Sequence, residues 1–384
     1  MRWLRVPLLS LVIVSASAAE ERPWARHLID DGYAGADGVR LADVNGDGRP
    51  DVATGWEEGG TIRLCLHPGN EKVKEKWPGV TVGKAGSPED AVLVDLDGDG
   101  NLDVVSSCEG TTRSIYFHVA PAREKLLDAK EWKTAALSAS AGKQWMFCLP
   151  MQIDGMRGID LVCGGKNKGA EIGWFESPAD PLKVVDWTWH PMREAGWVMS
   201  LVAADMNGDG RKDILFSDRR GARSGVYWLE NPSWKEHAVG AVGKEVMFLA
   251  QADGDVVAAV RPKELVWLKR LDKSGDRWES QAIAIPPEAG TAKGVAVGDI
   301  DGDGEKDLVF SCENAKGKFG VMWMKQVEGK WMAHDISGKE GEKFDLVELI
   351  DLDGDGDLDV MTTEERELNA VVWYENPVAR ASRP

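Results

Sequence analysis

The chain has 384 residues, 43% of them apolar, and a formal net charge of −18. That acidity speaks against nucleic acid as a partner, because phosphates and carboxylates repel. The apolar share is enough for a buried core. With 43 glycines, 17 tryptophans and only five cysteines, the composition points to a repetitive fold rather than a disulfide-built one.

Taken in chain order, residues 1–19 predict a secretory leader. Arg2 and Arg5 precede an apolar run from Val6 to Val14, and the small residues Ala16, Ser17, Ala18 and Ala19 follow. The run is too short to span a bilayer, and no later segment reaches about 18 apolar residues. The expectation is an exported chain, periplasmic or extracellular, that does not span the membrane. Residues 20–384 are expected to form one domain and to act as a monomer.

Beyond the leader the chain repeats. A tryptophan opens a short strand at Trp24, Trp77, Trp132, Trp187, Trp234, Trp278 and Trp331. Out of phase with it runs a nine-residue pattern, Asp-x-Asp/Asn-Gly-Asp-Gly-x-x-Asp. Intact copies span Asp43–Asp51, Asp95–Asp103, Asp205–Asp213, Asp299–Asp307 and Asp351–Asp359. Gln152–Asp160 is a degenerate copy, and at Asp253 only an Asp-Gly-Asp turn remains, a tight-hairpin signal. Four short apolar runs per period of about 50 residues predict four strands, A to D, with the Asp loop joining A to B. No amphipathic helix is predicted. This describes an all-β, seven-bladed β-propeller. The first strand, Trp24 to Asp30, is a strand D without its own blade, and the last, Val371 to Tyr374, is a strand C without a D. Pairing the two closes the ring and removes a free edge.

Carboxylates crowded into nine residues repel one another unless a cation joins them. Calcium takes six to eight hard oxygen ligands, and glycines at positions 4 and 6 let the backbone wrap it. Five calcium sites are therefore expected. Their ligands would be Asp43, Asn45, Asp47 and Asp51; Asp95, Asp97, Asp99 and Asp103; Asp205, Asn207, Asp209 and Asp213; Asp299, Asp301, Asp303 and Asp307; and Asp351, Asp353, Asp355 and Asp359. Blades three and five are expected to hold none.

These loops resemble the FG-GAP, or VCBS, repeats of integrin α-subunit propellers and of many bacterial secreted proteins, over essentially the whole mature chain. The resemblance implies metal loops on the bottom face and ligands or partners on the top face. The endings VYWLENP at Val226 and VVWYENP at Val371 also resemble bacterial VCBS proteins and the propeller part of fungal sugar dehydratases.

On the top face so defined, Lys166, Lys168, Arg219, Arg220, Arg261 and Lys263 form a basic sector, with Tyr33, Trp145 and Trp197 nearby. Aromatic platforms beside cations suit an anionic saccharide. Four histidines, His27, His190, His237 and His334, sit three residues after a repeat Trp, where Val80, Ala135 and Gln281 stand in other blades. That makes them structural. Three functions follow as expectations: recognition of a glycan or protein on the top face, a sugar lyase or dehydratase using Lys, Arg or Tyr, or a structural subunit of a surface complex. Cys148 and Cys163 flank one hairpin and are candidates for a disulfide.

Overall fold

Runs of β-branched and aromatic residues between Gly, Asp and Pro clusters favour short strands. The computed structural model describes residues 22–377, so the leader expected over residues 1–19 lies outside the described residues. It arranges the strands in seven antiparallel sheets of four, with two short 3-10 turns as the helical content of the described residues. Each sheet is a blade. In blade one, strand A is Ala36–Ala42, B is Asp51–Trp56, C is Thr61–Cys65 and D is Gly79–Lys84. The innermost strands of blades two to seven are Pro88–Val94, Gln144–Pro150, Val198–Ala204, Val246–Ala252, Thr291–Gly298 and Phe344–Ile350. Blade seven takes its outer strand from the start of the chain: Ala25–Asp30 pairs with Ala370–Glu375, His27 opposite Trp373.

The core lies between the faces of successive blades. One cluster joins Val105, Ile115 and Phe117 of blade two to Trp145, Leu161 and Phe175 of blade three. Strands B are buried almost throughout, whereas strands D alternate with solvent and are less apolar than the sequence pattern suggests.

Tryptophan serves two repeated positions. The one before strand D is capped by the chain leading into it: Trp77 donates its indole N–H to Val73 O at 3.0 Å and Trp132 to Leu126 O at 2.8 Å. Each such ring buries on the order of 200 Å², an upper bound of ~5 kcal/mol. The second position is on strand C, and there the four histidines find their role. His190 stacks on Trp174, His237 on Trp228 and His334 on Trp323, and His27 packs tilted against Trp373, with centroids 4.1–4.6 Å apart. Where the motif reads Trp-x-Glu, the glutamate bonds the same histidine: His27 meets Glu375 at 2.9 Å, His190 meets Glu176 at 2.9 Å and His237 meets Glu230 at 3.0 Å. The following asparagine is also spoken for. Asn231 donates to Lys212 O at 3.1 Å and Asn376 to Leu358 O at 3.0 Å, tying strand C to the Asp loop. The Trp-x-Glu-Asn-Pro motif therefore has a structural job in this chain.

Cys148 and Cys163 stand opposite each other in register, as buried thiols with Sγ atoms 3.2 Å apart.

Candidate functional site

The two ends of the ring are built differently. At the bottom, the Asp loops repeat one construction. The position-1 aspartate accepts the N–H groups of the loop glycines: Gly46 at 2.7 Å and Gly48 at 2.8 Å from Asp43, Gly98 at 2.8 Å and Gly100 at 3.1 Å from Asp95. Positive φ at Gly46 (80°) and Gly48 (83°) makes this wrap available without side-chain strain. Positions 1, 3 and 5 then converge. In blades two, six and seven, one oxygen from each of Asp95, Asp97 and Asp99, of Asp299, Asp301 and Asp303, and of Asp351, Asp353 and Asp355 lies within 4.8 Å of the others. Asp299 keeps a buried Oδ1 without a hydrogen-bond partner. These donor sets fit a hard cation with oxygen ligands. In blades one and four, Asn45 and Asn207 replace one carboxylate and donate to Asp47 at 3.3 Å and Asp209 at 3.2 Å.

Position 9 has a second task that the sequence pattern does not reveal. Asp51, Asp103, Asp213, Asp307 and Asp359 are buried, and each accepts the N–H of loop position 2 at 2.8–3.0 Å. Asp51, Asp103, Asp213 and Asp359 also accept the N–H just past strand C, at 2.7–2.9 Å. Asp160, in the degenerate loop of blade three, does both as well, and Asp255 in blade five accepts Arg270 N–H at 2.9 Å and the Trp267 indole at 2.9 Å. A carboxylate at this position thus stitches all seven blades. Burial raises Asp103 to about 7 and Asp51 to about 6 against these N–H donors. In blade three the Gln152 amide nitrogen donates to Met156 O at 2.6 Å and Gly158 O at 2.5 Å, so a side-chain donor closes the loop from inside.

The top face is built by a recurrent irregularity. Every A–B strand pair slips register near the start of strand A. Such a bulge adds a residue and re-aims a side chain. Here it turns one side chain per blade into a central funnel. Around the ring these are Asp37, Glu89, Met146, Met199, Met247, Lys293 and Asp345. Glu57, Glu109, Lys166, Arg219 and Glu313, from the ends of strands B, add a second tier. The funnel holds about 180 Å³, and Met199 and Phe248 separate it from a cavity of about 320 Å³ lower in the channel.

One half of the funnel is charged and the other apolar. In the charged half, Lys293 bridges Asp345 at 2.9 Å and Glu365 at 2.8 Å with all three side chains buried. Lys343 also meets Glu365. Burial works against the ionised form of Asp345, but Lys293 holds it well below the usual carboxylate range. Burial, with Asp345 and Glu365 beside it, pushes Asp37 well above that range. Lys166 bridges Glu89, at 2.8 Å, and Glu109. The apolar half is Met146, Met199, Met247, Phe147 and Phe248.

Only part of the expected ligand sector stands at this funnel. Lys166, Trp197 and Arg219 line it. The cations are engaged rather than open: Arg219 pairs with Glu245 at 2.7 Å, Arg261 with Glu313, and the Lys263 ammonium donates to the carbonyls of Pro286, Pro287 and Ala289. Lys166, Arg219 and Arg220 all sit 4.5–4.6 Å from the centroid of the Trp197 ring, which is therefore a cation cradle and not a bare platform. Trp145 is a correction: it is 1% exposed, packs on Phe175 and Trp189, and donates to Ser140 O at 2.8 Å, so it belongs to the core. Tyr33 lies outside the funnel lining, bonded to Thr81 at 3.1 Å and edge-on to Trp56. Lys168 is exposed and also lies outside that lining. The carboxylates of the funnel, Asp37, Glu57, Glu89, Glu109, Glu313 and Asp345, were not among the expected ligand residues, because their convergence depends on the bulges.

An accessible aromatic pair exists elsewhere. Blade five has lost its Asp loop, and between it and blade six lies a groove of about 650 Å³ where Trp267 and Trp331 stack at 6.0 Å. Lys269, Glu279, Gln281 and Gln326 line it as well.

Among the described residues no helix is long and apolar enough to cross a membrane. Residues 43–106, from the first Asp loop into strand B of blade two, match the FG-GAP-like repeat family. No curated protein matches the chain. Solved structures that match include the crystal structure of BBS1N in complex with ARL6DN, soaked with mercury, with a TM-score of 0.54 and 11% identity, covering 93% of this chain and 97% of that one. At that identity the likeness concerns the fold. The chain is a seven-bladed β-propeller that carries an FG-GAP-like repeat.

Proposed function

We propose that this chain is an exported ligand-binding propeller, stiffened by calcium in five bottom loops, whose ligand places a polar group in the top-face funnel. The observation that carries this is the bulge in every innermost strand, which sends a side chain from all seven blades to one point. A volume of about 180 Å³ is room for about six waters. That admits the end of a saccharide or a side chain, not a polymer segment. The charged half offers hydrogen bonds, and the methionine half suits an apolar face. Binding is favoured over lyase or dehydratase chemistry. Lys166, Arg219 and Arg261, the cations such chemistry would use, are held in ion pairs.

The test is calorimetric titration with neutral and uronate oligosaccharides, beside a pull-down with surface proteins of the host. Trp197→Ala should weaken binding tenfold or more while calcium content stays at the parental value. Equal binding by parent and variant would overturn the funnel as the site. The Trp267–Trp331 pair favours a second glycan position, in the side groove. Trp331→Ala should then reduce binding while Trp197→Ala does not.

A further inference from the structure

The hairpin that joins strands A and B is closed in different ways around the ring. In five blades it carries an intact Asp loop. In blade five the loop is reduced to Asp253 and Gly254 between the paired residues Ala252 and Asp255, a two-residue turn with φ of 48° and 92° that suits a tight hairpin. Blade three has neither device. Its loop keeps the full length, Gln152 to Asp160, but Gln152 and Met156 stand at positions 1 and 5, where the five intact loops have aspartate. The same hairpin carries two cysteines face to face. Cys148 on strand A and Cys163 on strand B are direct partners in the register, with Sγ atoms 3.2 Å apart. That register position holds Leu201 and Phe216 in blade four, Val295 and Phe310 in blade six, and Val347 and Thr362 in blade seven.

We propose that Cys148 and Cys163 form a disulfide that staples the A–B hairpin of blade three, the blade whose full-length loop lacks the carboxylates for a cation. Directly opposed residues of an antiparallel pair have Cα atoms about 4.5 or 5.5 Å apart, inside the span of about 4.4–6.8 Å that a disulfide bridges. The two strands therefore need no shift, only a closing of the two side chains. The bond forms by exchange with an external disulfide. One cysteine, as thiolate, attacks it and releases a thiol; the other then displaces the second thiol as the protein S–S bond closes. Each cysteine loses a proton and an electron, and the external disulfide is reduced to two thiols. Both side chains lie in the core between blades two and three, 3% and 0% exposed. Burial, with Cys148 alongside, pushes the Cys163 thiol well above its usual range. The folded dithiol is thus shielded from exchange, and the bond belongs to the folding chain, before blade two covers the hairpin. Supply of the oxidant in the cell rests on the export proposed above; the pairing itself does not.

The experiment unfolds the full mature chain in reductant, refolds it in mixed oxidised and reduced glutathione, and compares it with the same chain refolded in reductant alone. The oxidised product should be two hydrogens lighter, should keep three of its five free thiols, and should yield on digestion a peptide pair that links Cys148 to Cys163. Closing a loop of about 15 residues restricts the unfolded chain, which for a domain of this size should raise the melting temperature by about 4 °C over the reduced form. That difference should be the same in chelator, because the staple acts where no ion is expected. In Cys148→Ala/Cys163→Ala, whose packing cost is common to both conditions, the difference should vanish, and in Cys65→Ala it should persist. Five free thiols after oxidative refolding overturn the proposal. So does a link from Cys148 to Cys108, which ends strand B of blade two. A correct link with equal melting of the oxidised and reduced chains overturns the staple. Export is read separately: chain isolated from cells with all five thiols free that still forms the link on refolding counts against export and leaves the pairing standing.

Discussion

The bottom of the ring keeps one residue constant, and the top varies one. Position 9 of the Asp loop is aspartate in all seven blades, including the two whose loops have decayed, and it binds backbone in each. The bulge position on the opposite face runs Asp, Glu, Met, Met, Met, Lys, Asp around the ring. A position that the fold needs must be filled the same way seven times. A position that builds a single off-centre site need not be, and its asymmetry is what gives a ligand an orientation. The repeat that defines the architecture and the residues that define a site are thus separate columns of the same repeat.

The sharpest way to break this contrast is to remove a charge that the top face depends on. Lys293→Met strands Asp345 and Glu365 in the interior and should cost about 3–5 kcal/mol, measured by chemical denaturation in chelator. Adding Asp345→Asn and Glu365→Gln should recover most of that loss. Additive losses would mean that the three do not form one network.

Next in size is the bottom column in a loop expected to hold no metal. Asp160→Ala leaves Ile153 N–H and Ser177 N–H without their acceptor, at about 1–3 kcal/mol each if both stay dry. The loss should be the same with and without calcium. A calcium-dependent loss would tie position 9 to the metal and not to the backbone.

A pH test separates buried neutral groups from the paired ones. His118 is 0% exposed, bonded to Ser106 and Thr134 at 2.9 Å, and burial lowers its pKa to about 3. The unfolded chain takes up that proton near pH 6.5, so the stability it carries is full above that value and is lost as the pH falls from about 6.5 toward 3. Relative to the parent, His118→Gln should flatten the acid side of the stability curve by about 1.4 kcal/mol per pH unit. Identical slopes would show that water reaches the ring.

The smallest expected effect is Arg220→Ala. This side chain is exposed and contributes a cation over Trp197, so stability should change by less than about 0.5 kcal/mol. A larger loss would make the Trp197 cradle part of the scaffold.

The strand plan was legible because its signals are local. Asp-Gly loops, tryptophans at fixed spacing and alternating runs predicted seven blades and the pairing of Trp24 to Asp30 with Val371 to Tyr374, which the structure shows as Ala25–Asp30 on Ala370–Glu375. The funnel was half legible. Lys166, Trp197 and Arg219 were placed on the top face from the repeat register, but the convergence of Glu57, Glu89, Lys293 and Asp345 with them is a tertiary fact created by bulges that no short-range pattern marks. Trp145 shows the opposite failure: it stands one residue before the bulged Met146, so its ring turns into the core and the next side chain turns into the funnel.

The closing strand has a consequence in time. Ala25 finds its partner at Glu375, nearly the whole chain later. At about 5–20 residues per second, the first strand leaves the ribosome on the order of 20–70 s before strand C of the last blade exists. It must wait without adhering to the six blades that assemble meanwhile. Arg26, His27 and Asp30 around Leu28 and Ile29 make it a poor seed for foreign pairing, and charge on an edge strand has that protective effect. Ring closure is then a late check on the finished product: a chain cut short before residue 370 cannot dock its own beginning, and the cell meets it as an open sheet.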